Sequence, residues 1–331
     1  MQGDGIGREV IPVAVDVLRA VIPELETIEA EAGWACFEKH GASVPEDTIQ
    51  AIEDCGAGLF GAVSSPSHKV EGYQSAILTI RQRCDLYANI RPVQSWPVIS
   101  PRAGIDMVIV RENTEGLYSR REATDGERAV AERVITRRAS SRIARKAVVL
   151  GRALERRKMT IVHKANILPL SDGLFRDCAL EAVEEAAGEG YALEVDELLV
   201  DVAAYRMVAD PERFDMVLTT NLYGDILSDA AAHWGGGLGM APSLKWGDGC
   251  AVAEPVHGSA PDIAGQGVAN PMAAVLSAAL LARYVWGMAD AAERIEGAVR
   301  MTLEAEDYEA KLAGNTKGMA DRMLAMVRGK R

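Results

Sequence analysis

Two aspartates with helical spacing are the first residues of this sequence that could bind a metal ion. Asp225 and Asp229 lie four residues apart in NLYGDILSD, so a helix through this segment would place both carboxylates on one face. Two carboxylates so close repel each other unless a cation or a basic side chain neutralises them. Hard oxygen ligands of this kind suit Mg²⁺ or Mn²⁺. The spacing by itself fits an alternative equally well, which is that the two acids stabilise the N-terminus of a helix through its dipole.

Three arginines stand at or just after the ends of apolar segments, in AILTIRQR, DLYANIRP and DMVIVRENTEG. They are Arg81, Arg91 and Arg111. A guanidinium offers paired donors to a carboxylate, although each arginine alone is typical of a surface ion pair. The chain has 36 basic and 48 acidic residues, a net charge of −12, which argues against a nucleic-acid partner. Three such arginines in an acidic chain favour a local pocket for a polycarboxylate.

A lysine and a tyrosine are the candidates for proton transfer. Lys164 follows the apolar residues 160–162, and Tyr118 lies seven residues after Arg111. Near a metal ion they could act as base and acid, because a cation and desolvation can lower their pKa values toward neutrality. The alternative for Lys164 is an ordinary exposed lysine.

Two glycine-containing segments could approach a ligand through their backbone. The first, GDGIG at residues 3–7, precedes a predicted helix, but its spacing and the absence of a strand before it exclude the Rossmann dinucleotide fingerprint. A tight structural turn explains it as well. The second, EPVHGSAPDIAGQGVANP at residues 254–271, is irregular and long enough to suggest a function. His257 could contact a ligand or be structural, and Asp262 could accept from both ribose hydroxyls, which favours NAD over NADP.

The elements that must position these residues alternate between helix and strand, which predicts an α/β fold with a largely parallel sheet. Residues 8–21 and 45–55 have helical patterns, and 272–282 is too short for a membrane span and predicts a buried helix. Short apolar runs predict strands at 58–63, 107–110, 159–162 and 216–219. Polar clusters follow these runs, and ligands bind beyond the carboxyl ends of strands in open α/β sheets.

Length and cysteine content indicate a large intracellular globular protein. The 331 residues suit one large or two medium domains. Five cysteines are scattered without CxxC spacing, and no signal peptide is recognisable, so we expect a reduced cytoplasm and no membrane. Residues 119–145 are dense in Arg, Glu and Ala, which predicts a solvated helical face or, alternatively, an arm toward a second subunit.

Together these segments resemble the β-decarboxylating dehydrogenases, the family that includes isocitrate, 3-isopropylmalate, homoisocitrate and tartrate dehydrogenases. The resemblance covers essentially the whole chain through GDGIG, DLYANIRP, VIVRENTEGLY, HKAN, NLYGDILSD and EPVHGSAPDIAG, in family order. It implies an isopropylmalate dehydrogenase-like two-domain fold rather than a Rossmann fold. A large mixed, mostly parallel sheet would be flanked by helices, with a cleft between the domains. Residues 1–92 and 237–331 would form the large cofactor-binding domain, and 93–236 the small domain with a dimerisation arm at 119–145.

The resemblance also implies an activity, which is NAD-dependent oxidation of a 2-hydroxy acid followed by loss of the carboxylate beta to the new carbonyl. Lys164 would deprotonate the substrate hydroxyl, and Tyr118 would protonate the enol. Mg²⁺ or Mn²⁺ would be held by Asp201, Asp225 and Asp229. In this family Lys164 and Asp201 serve the neighbouring subunit's site, so we expect a homodimer or a tetramer built from it.

The remaining site residues follow from the same resemblance. The di- or tricarboxylic substrate would contact Ser75, Leu78, Arg81, Arg91, Arg111, Tyr118, Lys164 and Asn166. The cofactor would contact Gly5, Ile6, Asn166, Glu254, His257, Gly258, Ser259, Ala260, Asp262, Ile263 and Asn270.

Substrate choice depends on the stretch SSPSHKVEGYQSAILTIRQR. Ser75 matches a serine that isocitrate enzymes use, but Ile77 replaces their usual asparagine, and isopropylmalate enzymes tend to lack Ser75. The runs SPSHKVEGY, KANILPLSDGLFRD and VDVAAYRMV look most like homoisocitrate dehydrogenases of lysine biosynthesis, some of which have arginine where Leu78 stands here. We therefore expect conversion of homoisocitrate to 2-oxoadipate. The alternatives are isopropylmalate, isocitrate and tartrate or malate.

Two further expectations concern the chain as a whole. A non-catalytic regulatory subunit is the alternative from another functional class, and the intact Lys164, Tyr118 and aspartates argue against it. Family members normally have a short strand before GDGIG, where this chain has only Met1 and Gln2. We expect a mis-assigned start codon to account for this difference.

Overall fold

The computed structural model describes residues 1–66, 68 and 70–329. Two positions of the run SPSHKVEGY, Ser67 and Lys69, therefore lie outside the described residues. The chain forms two compact units. Unit 1 comprises Met1–Leu86, Ser95–Ala103 and Gly235–Arg331, as far as these residues are described, and unit 2 comprises Tyr87–Gln94 and Gly104–Trp234.

Helices and strands alternate along most of the described chain, so the mixed α/β class is confirmed. The α-helices are α1 (Gly7–Val21), α2 (Trp34–His40), α3 (Glu46–Cys55), α4 (Ala76–Arg83), α5 (Arg137–Ala153), α6 (Ser171–Gly188), α7 (Val200–Ala209), α8 (Asn221–Ala232), α9 (Met272–Leu280), α10 (Ala289–Leu303) and α11 (Thr316–Val327). The strands are β1 (Ala57–Leu59), β2 (Ala88–Gln94), β3 (Asp106–Glu112), β4 (Glu122–Thr124), β5 (Ala129–Ala131), β6 (Lys158–His163), β7 (Glu194–Leu199), β8 (Met216–Thr219), β9 (Pro242–Trp246) and β10 (Ala251–Pro255).

The predicted domain division differs from the two units at β2. The prediction placed residues 87–92 in the large domain, whereas they belong to unit 2 because β2 pairs with β3 in antiparallel register. Residues 95–103, by contrast, belong to unit 1.

Unit 1 packs its helices around the buried helix α9. All nine residues of α9 are buried, as the uninterrupted small and apolar sequence MAAVLSAAL requires. Helix α1 presents its apolar stripe to the same core, which also includes residues of α10 and α11. Beside them, β1 pairs in parallel with β10, which pairs with β9 in antiparallel register. The strand predicted at 58–63 is observed as β1, which begins one residue earlier, at Ala57, and ends at Leu59.

Unit 2 contains five strands of the large sheet, in the order β2, β3, β8, β6, β7. Strands β3, β8, β6 and β7 are parallel to one another, and β2 is antiparallel to β3. The interior strands are buried along almost their whole length, which explains their continuous apolar sequences. Since β3, β6 and β8 are parallel, the residues that follow them share one edge of the sheet.

Residues 119–145 fold differently from a continuous helical face. Strands β4 and β5 form an exposed two-stranded antiparallel ribbon. The helix α5 begins only at Arg137, where the side chain of Thr136 accepts from Ala139 N at 3.2 Å and caps the first turn. Within the described part of the chain, no helix is both long and apolar enough to cross a membrane.

Candidate active site

Arg111 and Asp225 form the centre of a polar cluster in unit 2. Arg111 lies near the end of β3 and is 1% exposed, and its Nη1 donates to Oδ1 of Asp225 on α8. Its Nε and Nη2 donate to Oδ1 of Asn221 at 3.2 and 2.7 Å. The first and second turns of α8 thus each provide an acceptor for one buried guanidinium.

Arg91 on β2 bridges the same face of α8. Its Nη1 donates to Oγ of Ser228 at 2.5 Å and to Oδ1 of Asp229 at 2.7 Å, and its Nη2 lies 3.3 Å from Oδ1 of Asp225. Asp225 and Asp229 therefore share one helix face and one arginine. Burial raises the pKa of Asp229, with Arg91 opposing this effect and Asp225 adding to it.

Tyr118 extends the cluster through its hydroxyl, which donates to Oδ2 of Asp225. The guanidinium carbon of Arg111 lies 5.1 Å from the centre of the tyrosine ring. Burial, followed by the hydrogen bond to Asp225, raises the pKa of Tyr118. The predicted lowering requires a cation close to the phenol, and burial by itself disfavours the phenolate. The phenol consequently keeps its proton in this environment, and that is the form a general acid requires.

The loop that carries Tyr118 is shaped by Glu112, whose role sequence reasoning missed. The carboxylate of Glu112 accepts from Thr114 N at 2.8 Å, from the Thr114 hydroxyl at 2.6 Å and from Glu115 N at 2.9 Å. Burial is the largest influence on this carboxyl and raises its pKa. In the sequence, an acidic residue followed two positions later by threonine indicates such a local side-chain-to-backbone turn.

Lys164 and Asp201 form a second polar pair in unit 2. Lys164 follows β6 and donates through Nζ to Asp201 at the start of α7, which lowers the pKa of Asp201. The backbone N–H of Lys164 donates to Oδ2 of the fully buried Asp172 at 2.6 Å, and Arg133 also pairs with Asp172. Sequence reasoning did not identify this anchor.

Asp201 is not brought together with Asp225 and Asp229 within a single chain. Among the described residues, their carboxylate oxygens do not form a group lying within 4.8 Å of one another. Several large apolar side chains are exposed in the segment after Lys164, on α7 and on α8. They are Ile167, Leu170, Val202, Tyr205, Val208 and Ile226. Asn166 is exposed next to Ile167.

In unit 1, the two glycine-containing segments lie against each other. Ile6 N donates to Ser259 O at 2.9 Å, and the Ser259 hydroxyl lies 2.9 Å from that of Ser64. Gly5 has a φ of 54°, and a Cβ there would come 2.0 Å from Ser259 O. Only glycine fits this approach. The predicted cofactor residues Gly5, Ile6 and Ser259 thus share one location.

The rest of residues 254–271 is held by polar contacts within unit 1. Glu254 on β10 pairs with the fully buried Lys245 of β9. Burial lowers the pKa of the half-buried His257. Asn270 Oδ1 accepts from Met272 N at 2.9 Å at the start of α9. Three other predicted contacts, Gly258, Ala260 and Ile263, range from half-buried to exposed, and Asp262 is exposed.

The predicted substrate residues of unit 1 lie on or beside α4. Ser75 precedes the helix, Leu78 is half-buried in its first turn, and Arg81 is 8% exposed in its second turn. Leu78 and Arg81, three residues apart, are neighbours on the helix surface.

Comparisons with known proteins find relatives that match nearly the whole chain. The sequence model of the family described as isocitrate/isopropylmalate dehydrogenase matches residues 1–325. The isocitrate/homoisocitrate dehydrogenase of Thermus thermophilus is 52% identical over 315 residues, covering 95% of this chain and 93% of the relative. The homoisocitrate dehydrogenase of Methanocaldococcus jannaschii is 44% identical over 344 residues, covering 100% of this chain and 97% of the relative. A crystal structure of isocitrate dehydrogenase from Methylococcus capsulatus superposes with a TM-score of 0.91 at 39% identity, covering 99% of this chain and 98% of that one.

Proposed function

The chain belongs to the isocitrate/isopropylmalate dehydrogenase family and is a decarboxylating dehydrogenase, and from this premise we propose that it converts homoisocitrate to 2-oxoadipate. The resemblance drawn from six sequence motifs is thereby confirmed at the level of the family. Enzymes of the family act on small carboxylic acids, generally use NAD and a divalent metal, and are typically dimeric.

The observation that carries the proposal is the cluster formed by Arg91, Arg111, Tyr118, Asp225 and Asp229. It combines two buried guanidinium groups, two carboxylates on one helix face and a protonated phenol. A substrate that bears several carboxylates and forms an enolate needs these groups. A dehydrogenase without decarboxylation would not need all of them.

The carboxylates of Asp225 and Asp229 fit Mg²⁺ or Mn²⁺ as hard oxygen donors. Asp229 is 52% exposed at its side chain, which leaves it accessible to an ion, while Asp225 is anchored by Arg111. Asp201 of the partner subunit would complete the donor set. A bound divalent cation would supply Lewis-acid polarisation of the substrate oxygens.

Arg81, Arg91 and Arg111 would bind the substrate carboxylates. Arg91 and Arg111 are neutralised by Asp225 and Asp229 in this structure. Once these aspartates ligate a cation, the two guanidinium groups are available to carboxylate oxygens. Charge balance therefore couples substrate binding to metal binding, which is how a chain with a net charge of −12 could capture an anion.

Proton transfer would involve Lys164 and Tyr118. Lys164 would take the proton of the substrate 2-hydroxyl, and Asp172 holds its backbone in place. Tyr118 would give its proton to the enol carbon after loss of carbon dioxide, a role that fits its hydroxyl at Asp225 and its ring beside Arg111. Ser75, Leu78 and Asn166 would contact the remaining parts of the substrate.

The separation of Asp201 from the other two aspartates supports a homodimer with shared sites. Lys164 and Asp201 would serve the neighbouring subunit, and the exposed apolar side chains of α7 and α8 would be covered there. The same contact could recur in a tetramer. The five free cysteines support a reduced cytoplasm as the location.

NAD is the cofactor we propose. Gly5, Ile6 and Ser259 would provide backbone close to it, and Asn166, Glu254, His257, Gly258, Ala260, Ile263 and Asn270 would line its site. The exposed Asp262 would accept from the ribose hydroxyls and repel a 2′-phosphate.

Homoisocitrate is favoured over the other acids by the motifs around Ser75 and by the names of both relatives. Isocitrate, 3-isopropylmalate and tartrate or malate are the competing substrates. The test is a comparison of kcat/KM for the four acids with NAD⁺ and Mn²⁺. The highest kcat/KM on homoisocitrate would support the proposal. A higher value on another acid would make that acid the substrate instead. If the folded protein turns over none of the four acids, the proposed reaction is overturned.

A further inference from the structure

Helix α2 in unit 1 carries a thiol and an imidazole one turn apart, and a carboxylate from the preceding segment lies beside both. Cys36 and His40 occupy positions i and i+4, so they share a face of the helix. Glu31 precedes the helix, and its Oε2 lies 2.7 Å from Nε2 of His40. One ligand atom from each of the three residues lies within 4.8 Å of the other two.

The backbone framework of this cluster is fixed by contacts outside it. Gly33 has a φ of 121°, and a Cβ there would come 2.5 Å from Oδ2 of Asp4. The Asp4 carboxylate accepts from Trp34 N at 2.7 Å and Ala35 N at 3.0 Å, which anchors the start of α2. The turn at Gly33 brings Glu31 back alongside the helix. The three donors are therefore held near one another without any ligand.

We propose that Glu31, Cys36 and His40 form a binding site for Zn²⁺. Thiolate, imidazole and carboxylate are the donors that this ion takes, and a tetrahedral site needs donor atoms about 3.3–3.6 Å apart. Because the three ligand atoms lie within 4.8 Å of one another, reaching that spacing takes a movement of at most about 1.5 Å. The exposed side chains of Glu31 and His40 can supply it by rotation.

The fourth coordination position is open to a small ligand. Glu31 and Cys36 line a cavity of about 700 Å³ in unit 1, although Cys36 itself is only 5% exposed. Water can occupy this position, as it does in three-ligand zinc sites. Binding replaces the S–H bond of Cys36 with an S–Zn bond and releases the proton to solvent.

Lys39 occupies the role of counter-cation when no metal is bound. Its Nζ lies 2.8 Å from Oε1 and 3.2 Å from Oε2 of Glu31. This pair is exposed and contributes little stability, so a divalent ion can displace it. The donor set also separates this site from Asp225 and Asp229, because a thiolate selects Zn²⁺ over Mg²⁺, whereas carboxylate oxygens suit Mg²⁺ and Mn²⁺.

The test uses Co²⁺ as a spectroscopic substitute for Zn²⁺. Chelator-treated full-length protein in saturating Mg²⁺ is titrated with Co²⁺, and the thiolate-to-cobalt charge-transfer band in the near ultraviolet is recorded. We expect one equivalent per chain, reversed by Zn²⁺. Cys36→Ser should abolish the band. His40→Asn should weaken Co²⁺ binding by more than about tenfold, because losing a metal ligand costs more affinity than losing a residue that only hydrogen-bonds to a ligand. Cys55→Ser, which removes an exposed cysteine, is the matched control and should keep the band.

The outcomes separate this site from catalysis. Absence of the band in the unmodified protein, or its survival in Cys36→Ser, overturns the proposal. Because the readout is optical, a failure leaves the proposed dehydrogenase reaction untouched, and rates of NAD⁺ reduction in Mg²⁺ check the fold of each variant. As a second measurement, Zn²⁺ should raise the unfolding temperature of the unmodified protein and of Cys55→Ser, but not of Cys36→Ser. His40→Asn should need a Zn²⁺ concentration more than about tenfold higher for the same rise.

Discussion

Gly224 on α8 lies directly against the side chain of Arg111 on β3, and a Cβ at position 224 would come within 2.5 Å of Cγ of Arg111. Arg111 is 1% exposed and is held at its tip by Asn221 and Asp225, so its aliphatic stem has no room to retreat. The absence of a side chain at Gly224 is therefore what allows α8 to present its carboxylates to this guanidinium.

Replacing Gly224 with alanine should reduce activity by displacing Arg111. We expect kcat/KM to fall about 100-fold, because small displacements of binding groups have effects of this size. Gly297→Ala in α10 is the control, since a Cβ there meets nothing within 4 Å. It should leave kcat/KM unchanged and add roughly 0.5–1 kcal/mol of helix stability. Steady-state kinetics of both variants test this, and an active Gly224→Ala enzyme would contradict the packing argument.

Asp225→Asn should weaken the binding of the activating metal ion severely. The substitution removes one charged oxygen donor while retaining most of the side-chain volume. We expect the Mn²⁺ concentration for half-maximal activity to rise by more than about tenfold. Asp321→Asn, an exposed carboxylate paired with Lys317 on α11, is the control. Identical activation curves for Asp225→Asn and the unmodified enzyme would remove Asp225 from the metal site.

Site residues that lie on a regular helix or directly after a buried strand could be predicted from the sequence. The spacing of Asp225 and Asp229 predicted one helix face, and α8 carries both residues on the face that meets Arg91. The apolar runs before Arg111 and Lys164 likewise predicted the cores of β3 and β6. Local periodicity is sufficient for such elements because burial on a sheet or one helix face dictates the pattern.

The missed features depend on contacts between distant segments. Strand β2 contains Pro92 and the buried polar residues Asn89 and Arg91, a composition that hides its antiparallel pairing with β3. Ser228 as a partner of Arg91 and Asp172 as the anchor of Lys164 depend on tertiary packing. The β4–β5 ribbon is exposed on both faces, so no burial imposes an alternating apolar pattern that would signal it.

Leu78→Arg should shift the preference among substrates toward acids with a distal carboxylate. The new guanidinium would stand one helical turn before Arg81 on α4, where it could pair with an anion. We expect the kcat/KM ratio of homoisocitrate over 3-isopropylmalate to rise about tenfold, or about 1.4 kcal/mol. Gln82→Arg adds the same charge at an exposed position of the same helix and should leave the ratio unchanged. Equal ratios for both variants would place Leu78 outside the substrate pocket.

His257 should make the stability of the cofactor-free protein depend on pH. Burial lowers its pKa below the ordinary value of 6.5, so the unfolded state takes up this proton at a higher pH than the folded state. The stability from the buried neutral ring is complete above the unfolded pKa and is lost as pH falls through it toward the folded pKa.

The measurement compares urea unfolding of His257→Gln and of the unmodified protein between about pH 7.5 and about pH 5.5. The difference in unfolding free energy should move in favour of the variant as pH falls, by no more than about 1.4 kcal/mol per pH unit for one proton. Measurements at the upper end, where the ring is neutral in both states, provide the reference. A difference that stays constant with pH would show that His257 takes up no additional proton on unfolding.

At a Mn²⁺ concentration too low to activate Asp225→Asn, mixing two variants that are each inactive should restore activity if Lys164 and Asp201 serve the partner's site. In a mixed dimer of Lys164→Ala with Asp225→Asn, one site combines an intact Asp225 with an intact Lys164 of the partner subunit, and the other site carries both defects. Random pairing after subunit exchange makes half of the dimers mixed, so we expect about a quarter of the unmodified activity under two-fold symmetry. Lys164→Ala mixed with Asp201→Asn is the matched control. Both residues are donated by the same subunit, so each site of that dimer keeps one defect and activity should stay absent. No recovery in the first mixture, once mixed dimers are demonstrated by mass spectrometry, would place Lys164 and Asp201 in the site of their own chain. Recovery in the control would show that the two residues serve different sites, which also contradicts the proposal.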